Sequence, residues 1–340
     1  MYKRDIVVIG ASAGGIAPII EIVKALPKDF KASVFIVVHV SPASPSSLPA
    51  ILTRSGPLKA IHPMDREKIE PGKIYVAPPD HHLLIEDGHT VVKKGPKENR
   101  FRPSVDALFR SAAYEYGSRV IGVVLSGFLD DGTSGLWSVK RLGGISIIQQ
   151  PEESEFPDMP LNVLEYVDVD YKLKASEIAP MLVKLTEEKA PKTPKLSAEE
   201  LKRMKLEIVI AYTGNAFELG ILSMGKLTSF TCPECHGALV SLDEGNLTRF
   251  RCHTGHGYTT STLLAGVTKV IDENLWEAMR GIEEATLILE ELGAKFNAKG
   301  KTDDAKLFLK KADEARKRSK VIHGLTFEQE IMSADIRHKK

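Results

Sequence analysis

The chain has 340 residues, 46 of them Lys or Arg against 45 Asp or Glu, for a formal charge of +1; 43% are hydrophobic and three are cysteine. That length exceeds the ~250–300 residues at which single cores stop growing, so about two domains are expected. The balanced charge, with no basic cluster beyond the terminal His338-Lys339-Lys340, argues against nucleic-acid binding. An odd cysteine count argues against a closed disulfide framework and for a reducing compartment. The first apolar run, Ile6-Val7-Val8-Ile9, is far too short for a signal sequence or a ~20-residue membrane span, so a soluble, cytoplasmic chain is expected.

Residues 1–186 read as an α/β domain. Apolar runs at 5–9, 34–38, 121–125 and 145–148 have no polar face, as in parallel strands covered on both sides by helices. Helices are expected near 15–26, 46–54, 104–116 and 132–142. Between 57 and 94 the runs Ile74-Tyr-Val-Ala, His82-Leu-Leu-Ile and Thr90-Val-Val crowd too closely for intervening helices, and a small antiparallel hairpin insert is expected there. The fold class is therefore an open, doubly wound parallel sheet with that insert. Charge and two prolines replace apolar periodicity over 187–195, which reads as a linker, and 187–230 as linker and connecting segment. A cysteine-bearing module follows at 231–260. Over 261–335 a helical hairpin is expected, because apolar residues recur three and four apart from 264 to 292 and resume after Gly300.

The first strand ends in Gly10-Ala-Ser12-Ala-Gly14-Gly15 and runs directly into a helix, at the carboxyl edge where open α/β sheets place their sites. The spacing is not that of a dinucleotide fingerprint, and the G-K-[ST] of a phosphate loop is missing. It does match G-x-S-x-G, which presents a serine hydroxyl beside helix N-terminal amides; close helix–strand packing is the other reading. Too few residues precede Gly10 for the ordinary α/β-hydrolase fold, whose earlier strands supply an oxyanion loop. Two further strands end in His39 and in Ser126-Gly-Phe-Leu-Asp130-Asp131-Gly132. A serine, a histidine and an acid at equivalent strand ends form a candidate Ser-His-Asp site.

These same segments carry a family resemblance. VVIGASAGG, IVVHVSP, RPSVDALFRSAA, VVLSGFLDDGTSGL and QQPEESEFPDMP, in that order, resemble the catalytic domain of the CheB-type chemotaxis receptor methylesterases over about residues 5–186. The resemblance implies hydrolysis of glutamyl γ-methyl esters on a methyl-accepting chemotaxis receptor or similar methylated protein, often with glutamine deamidation. It also implies attachment to the membrane periphery only through the receptor, and no catalytic cofactor. By motif it assigns Ser12 as nucleophile, His39 as base and Asp131 as the orienting acid, with Asp130 the second choice. A receiver domain, usual at the N-terminus of the family, is expected to be missing.

Two departures stand out. Ala13 follows the serine where many relatives have threonine, and Gly127-Phe128-Leu129 replaces the family's Gly-Met-Gly turn, whose central N–H serves the oxyanion in relatives. Phe128 keeps a backbone donor, while Leu129 gives up a permissive glycine. Met159 is expected to shape a wall of the site. Arg102 is a candidate substrate contact, and Ser104 and Asp106 read as helix N-terminal chemistry. His81 either lines the cleft or sits on an exposed loop.

All three cysteines fall in Cys232-Pro-Glu-Cys235 and Cys252-His253-Thr-Gly-His256. Thiolates with an imidazole suit tetrahedral Zn²⁺. Cys232, Cys235, Cys252 and His256 form the expected structural set, with His253 the alternative fourth ligand. The segment resembles the zinc-ribbon-like tail of some receiver-less CheB-type proteins. Two rival readings stay open: a catalytically silent signalling adaptor, and an esterase or amidase for a non-chemotaxis substrate. The helical hairpin either packs on itself or docks on another surface.

Overall fold

The computed structural model describes residues 2–42 and 45–328; the expected hairpin's end at 329–335 and the cluster at 338–340 lie outside them. The described residues divide into two compact units, with the division between Leu263 and Leu264. No described helix is long and apolar enough to cross a membrane.

The first unit is built from β1 (Ile6–Ala11), α1 (Ile16–Ala25), β2 (Ser33–Val38), α2 (Leu48–Ser55), β3 (Lys59–Ile61), β4 (Lys73–Val76), β5 (His82–Glu86), β6 (His89–Lys93), α3 (Val105–Tyr116), β7 (Val120–Val124), α4 (Thr133–Arg141), β8 (Ile145–Gln149), α5 (Asp158–Tyr166), β9 (Tyr171–Leu173), α6 (Ala175–Glu187) and α7 (Ala198–Thr213). A small sheet follows: β10 (Lys226–Thr231), β11 (Ala238–Glu244), β12 (Leu247–Cys252) and β13 (Gly257–Thr259).

Seven strands form one sheet in the order β3-β4-β2-β1-β7-β8-β9, every pair parallel. The central strands are buried throughout because both faces are covered. Val7, Ile9 and Ala11 face Ile19, Ile22, Leu52 and Leu182, while Val8, Phe35 and Val124 face Leu108, Phe109, Leu136 and Met159. The chain steps from β1 to β2 on one side and reaches β7 on the other. The carboxyl end of β1 is therefore a topological switch point, where a crevice opens.

Two expectations need correction. Ile74-Tyr-Val lies in the main sheet as β4, pairing parallel with β2, so the antiparallel insert is only β5–β6. Short spacing misleads here because β3 reaches β4 through irregular backbone, without a crossover helix. The 187–230 segment is not an open linker: α7, capped by Ser197 and Glu200, places Met204, Ile208 and Ala211 in the core that holds α3.

The antiparallel sheet β10-β11-β12-β13 belongs to the same compact unit. Its seam is ionic. Glu98, Glu207 and Glu244 meet Arg110, Arg249 and Arg251, all at 3% exposure or less. Arg251 Nη2 lies 2.6 Å from Glu98 Oε1, Arg249 Nη1 2.8 Å from Glu207 Oε1 and Arg110 Nη2 3.1 Å from Glu98 Oε2. Three acids against three guanidinium groups leave no net buried charge. Despite the opposing effect of burial, the arginines hold Glu98 well below the usual carboxylate range and Glu207 down to about 2.

The second unit is formed by α8 (Thr260–Ala298), apart from its first turn, and α9 (Thr302–Glu328). Within it Phe296 packs on Phe308 at 5.1 Å, and Arg316 pairs with Glu290. The apolar stripe expected from 264 is not buried at its start, since Leu264 and Val267 are exposed. Beyond 270, the buried positions of α8 are Met279, Thr286 and Gly293, seven apart as in a two-helix seam.

Replacing one arginine leaves a carboxylate buried without its partner. Arg249→Met should lower stability by about 3–5 kcal/mol in denaturant titrations, and a change under 0.5 kcal/mol would contradict the seam. Both carboxylates are depressed below their ordinary value of 4.5. The parent's stability from this network should therefore be fully present above pH 4.5 and lost as the pH falls toward 2.

Candidate active site

The carboxyl ends of three adjacent strands meet at the crevice. Ser12 follows β1, His39 follows β2, and Asp131 sits in the loop between β7 and α4. Ser12 Oγ is 3.1 Å from His39 Nδ1, and His39 Nε2 is 2.8 Å from Asp131 Oδ2. The acid binding Nε2 fixes the neutral tautomer, so the lone pair of Nδ1 faces the serine hydroxyl. Phe101 stacks on the imidazole, with centroids 3.7 Å apart and planes 7° from parallel, which fixes the ring's plane.

Small residues make this meeting possible. A Cβ on Gly127 would fall 2.1 Å from Met159 Sδ and 2.7 Å from Ser12 Cβ. One on Gly10 would fall 2.2 Å from Val105 Cγ1. Ser12 N–H donates to Ser126 C=O at 2.9 Å and its own C=O accepts from Gly15 N–H, so the serine sits on a pinned turn leading into α1.

Asp131 is fully buried and saturated with donors. Besides His39, it accepts from Asn99 Nδ2 at 2.8 Å, Ser104 Oγ at 2.9 Å, Val105 N–H at 2.7 Å and Asp106 N–H at 3.2 Å. The last two are free amides at the N-terminus of α3, where the helix dipole favours an anion. Burial alone would raise the Asp131 carboxyl, but His39 and these donors hold it below its ordinary value. Asp106 makes the reciprocal arrangement with α4, accepting from Gly132 N–H at 3.0 Å and Gly135 N–H at 2.6 Å. Burial, and then the Asp131 charge, push Asp106 up to about 8.

Ser104 and Asp106 are thus not simple caps of their own helix. Ser104 makes no side-chain cap of α3, because its hydroxyl is committed to Asp131, and Asp106 serves the neighbouring helix.

A cleft of about 950 Å³ opens over Ser12 and His39, bounded by Ala13, Phe101, Arg102 and Phe128 among others. Phe128 is half-exposed and packs against Phe156 at 4.4 Å, forming an apolar lip. Leu129 has φ of 62°, the left-handed conformation that glycine adopts without strain, and Asn162 Nδ2 donates to its C=O at 2.8 Å. Two expected positions differ, and a third lines the cleft. Met159 is buried under Gly127 rather than forming an open wall. His81 does not line the cleft; its Nδ1 lies 2.9 Å from Pro79 C=O. Arg102 does line it, but its Nε donates to Asp80 Oδ1 at 2.8 Å and Nη1 to Gly95 C=O.

Asn99 and Phe101 were not legible as site residues. They lie on a turn in which Asn99 and Arg100 have φ of 51° and 74°, closed by paired bonds between Glu98 and Phe101. Asn tolerates that conformation best, which is the only local signal.

A second cluster gathers Cys232, Cys235, Cys252 and His256, with ligand atoms all within 4.8 Å of one another. Cys235 Sγ and Cys252 Sγ are 3.6 Å apart, and His256 Nδ1 is 3.6 Å from both Cys232 Sγ and Cys252 Sγ. Such separations match the edges of a tetrahedron whose bonds are about 2.0–2.3 Å, so the set fits Zn²⁺. His253 stands apart, its ring packed against Gly237. The Tyr258 hydroxyl, 3.2 Å from Cys232 Sγ, supports a ligand from outside.

A parallel α/β sheet carrying a serine, a histidine and a buried acid at its switch point is the frame of a serine hydrolase. The family model of the CheB methylesterases matches residues 7–182, and the chain belongs to that family. A Leptospira interrogans relative is 37% identical over 182 residues, covering 53% of this chain and 94% of its own length. The Thermotoga maritima protein named protein-glutamate methylesterase/protein-glutamine glutaminase is 37% identical over 184 residues, 53% of this chain and 54% of that protein. The crystal structure of the Thermotoga maritima CheB methylesterase catalytic domain is similar with a TM-score of 0.52 and 36% identity, covering 54% of this chain and 99% of that one. The metal cluster lies beyond the family match.

The packing at Gly127 is testable without a substrate. Gly127→Ala should cost about 1–3 kcal/mol through overpacking against Met159 and Ser12, read as a lowered Tm; an unchanged Tm would show that the contact yields freely.

Proposed function

We propose that this chain hydrolyses glutamyl γ-methyl esters on methylated chemotaxis receptors, and deamidates glutamines at the same sites, through an acyl-enzyme on Ser12. The observation that carries this reading is the hydrogen-bonded line Ser12, His39, Asp131 at the floor of the cleft. His39 Nδ1 takes the hydroxyl proton as Ser12 Oγ attacks the ester carbonyl, because neutral serine is a poor nucleophile. Asp131 keeps the ring's tautomer and stabilises the imidazolium that forms. The N–H groups of Ala13 and Phe128, which border the cleft, receive the tetrahedral oxyanion. His39 then returns the proton to the departing methoxide, released as methanol, or in deamidation to the departing amide nitrogen, released as ammonia. Water, activated by the same imidazole, attacks the acyl-enzyme and restores Ser12 with a free carboxylate as product.

Cys232, Cys235, Cys252 and His256 hold a structural Zn²⁺. A closed four-ligand set has no open position for substrate, and ester hydrolysis needs no step through it.

Methanol release from a methylated receptor fragment tests the reaction. Ser12→Ala and His39→Ala should each lose ~10⁴-fold or more in kcat, and Asp131→Asn somewhat less. Undiminished turnover in His39→Ala would contradict the mechanism. No release from a receptor that a reference esterase demethylates would assign the site to another substrate. Elemental analysis should find about one zinc per chain, lost when Cys232 and Cys235 become serine; a metal-free parent would contradict the assignment.

A further inference from the structure

The metal cluster and the catalytic acid are joined by a short, fully bonded path. From His256 the chain enters β13, where Gly257 N–H donates to Lys97 C=O at 3.1 Å and Gly257 C=O accepts from Asn99 N–H at 2.8 Å. Two residues on, Thr259 N–H is shared between Asn99 Oδ1 at 3.2 Å and Thr262 Oγ1 at 2.8 Å, and Thr262 Oγ1 lies 3.3 Å from Asn99 Oδ1 as well as 2.8 Å from Thr259 Oγ1. With its oxygen so held, the Asn99 amide turns its NH₂ toward Asp131 Oδ1 at 2.8 Å and Asp106 Oδ2 at 2.7 Å. Thr259 Oγ1 also donates to Asp130, the acid preceding the triad aspartate, at 2.8 Å. On the strand before the cluster, Arg251, adjacent to the ligand Cys252, donates to Glu98 Oε1 at 2.6 Å.

We infer that Asn99 is a positioning residue for the Asp131–His39 pair, and that metal binding at Cys232, Cys235, Cys252 and His256 sets its orientation through β13. This rests on the triad reading and goes beyond it. The metal then does more than fold a small module: it is a structural input to the hydrolase site. Asn99, Asp106, Asp131 and Thr262 are all fully buried, so water cannot replace a bond lost from this path. The Asn99 amide also bridges the two acids Asp131 and Asp106. If its oxygen is released and the amide turns, an oxygen faces the Asp131 carboxylate, which loses a donor from its seat under His39. Removing the metal frees the 252–257 segment, and with it the carbonyl and the amides that orient Asn99.

Three perturbations test this, with the parent as reference: at Thr262, at Asn99 and at the metal. Thr262→Val removes one donor to Asn99 while keeping the side-chain shape, and Thr262→Ser restores it. Asn99→Asp keeps the left-handed turn but exchanges the donor for an acceptor. Chelator-stripped parent protein, reloaded with Zn²⁺ alone, is the third. Thr262→Val should bind the parent's complement of zinc and keep its circular dichroism, yet lose roughly tenfold or more in kcat with KM within about twofold, since the base is misplaced and not the substrate. Thr262→Ser should recover most of that loss, and Asn99→Asp should lose more than Thr262→Val. Stripping should lower kcat by a similar factor, reversed by Zn²⁺. It should also speed amide hydrogen exchange over residues 97–106 at least tenfold while leaving β1 and β7 protected. Parent-like kcat in both Thr262→Val and Asn99→Asp, or unchanged exchange over 97–106 on stripping, would overturn the proposal. Should Ser12→Ala prove as active as the parent, the triad reading fails by itself, and the exchange measurement still reports whether the metal holds Asn99.

Discussion

The structure depends on one buried carboxylate. Asp131 is removed from water, which alone would cost several kcal/mol for an ion, and it stays charged because every lone pair has a donor. Two of those donors are the free amides of α3, one is a serine hydroxyl, one an asparagine amide and one His39. The remaining geometry follows from this. The acid fixes the imidazole's tautomer, Phe101 fixes the ring's plane, and the ring holds the Ser12 hydroxyl at 3.1 Å. Asp106 completes the arrangement by capping α4, so that two crossing helices each seat the other's acid. Close approach there needs Gly135, whose Cβ would lie 2.6 Å from that of Phe109.

Much of this architecture could be read from the sequence. The apolar runs of β1, β2, β7 and β8 are buried on both faces, so they show no alternation and read plainly as parallel strands. Ser12, His39 and the pair Asp130-Asp131 could be singled out because each follows the end of such a run, and a parallel sheet brings those ends to one edge; the family resemblance then favoured Asp131. Cys232, Cys235, Cys252 and His256 are close in sequence, so spacing alone brought them forward. β4 was missed as a sheet strand because parallel pairing with β2 across some forty residues leaves no local trace. α7 shows in the sequence only as a connecting segment, because its cap and its weak apolar face follow charged, proline-bearing residues.

Asn99 and Phe101 illustrate a different limit. Nothing in Glu98-Asn99-Arg100-Phe101 repeats, alternates or matches a metal or nucleophile pattern. Their importance arises from a turn that sends Glu98 into the ionic seam, Asn99 to the acids and Phe101 onto the imidazole. These three consequences of one four-residue turn exist only once β13 and α3 are in place. The same turn explains why the antiparallel sheet with the cysteine cluster and the parallel sheet form one compact unit: they share the buried charges of Glu98, Glu207 and Arg249 as well as the bonds of Asn99. Phe128, by contrast, is free to vary the rim of the cleft without touching this interior, which leaves substrate preference separable from the chemistry.

The central claim is that Asp131 receives its hydrogen bond from Nε2 of His39, leaving Nδ1 to the serine. Nitrogen-resolved NMR of the histidine ring near neutral pH tests it most directly. The account predicts a low-field ring proton bonded to His39 Nε2, lost in Asp131→Ala, with Nδ1 unprotonated. A proton found on Nδ1 in the neutral ring, with Nε2 bare, would contradict it.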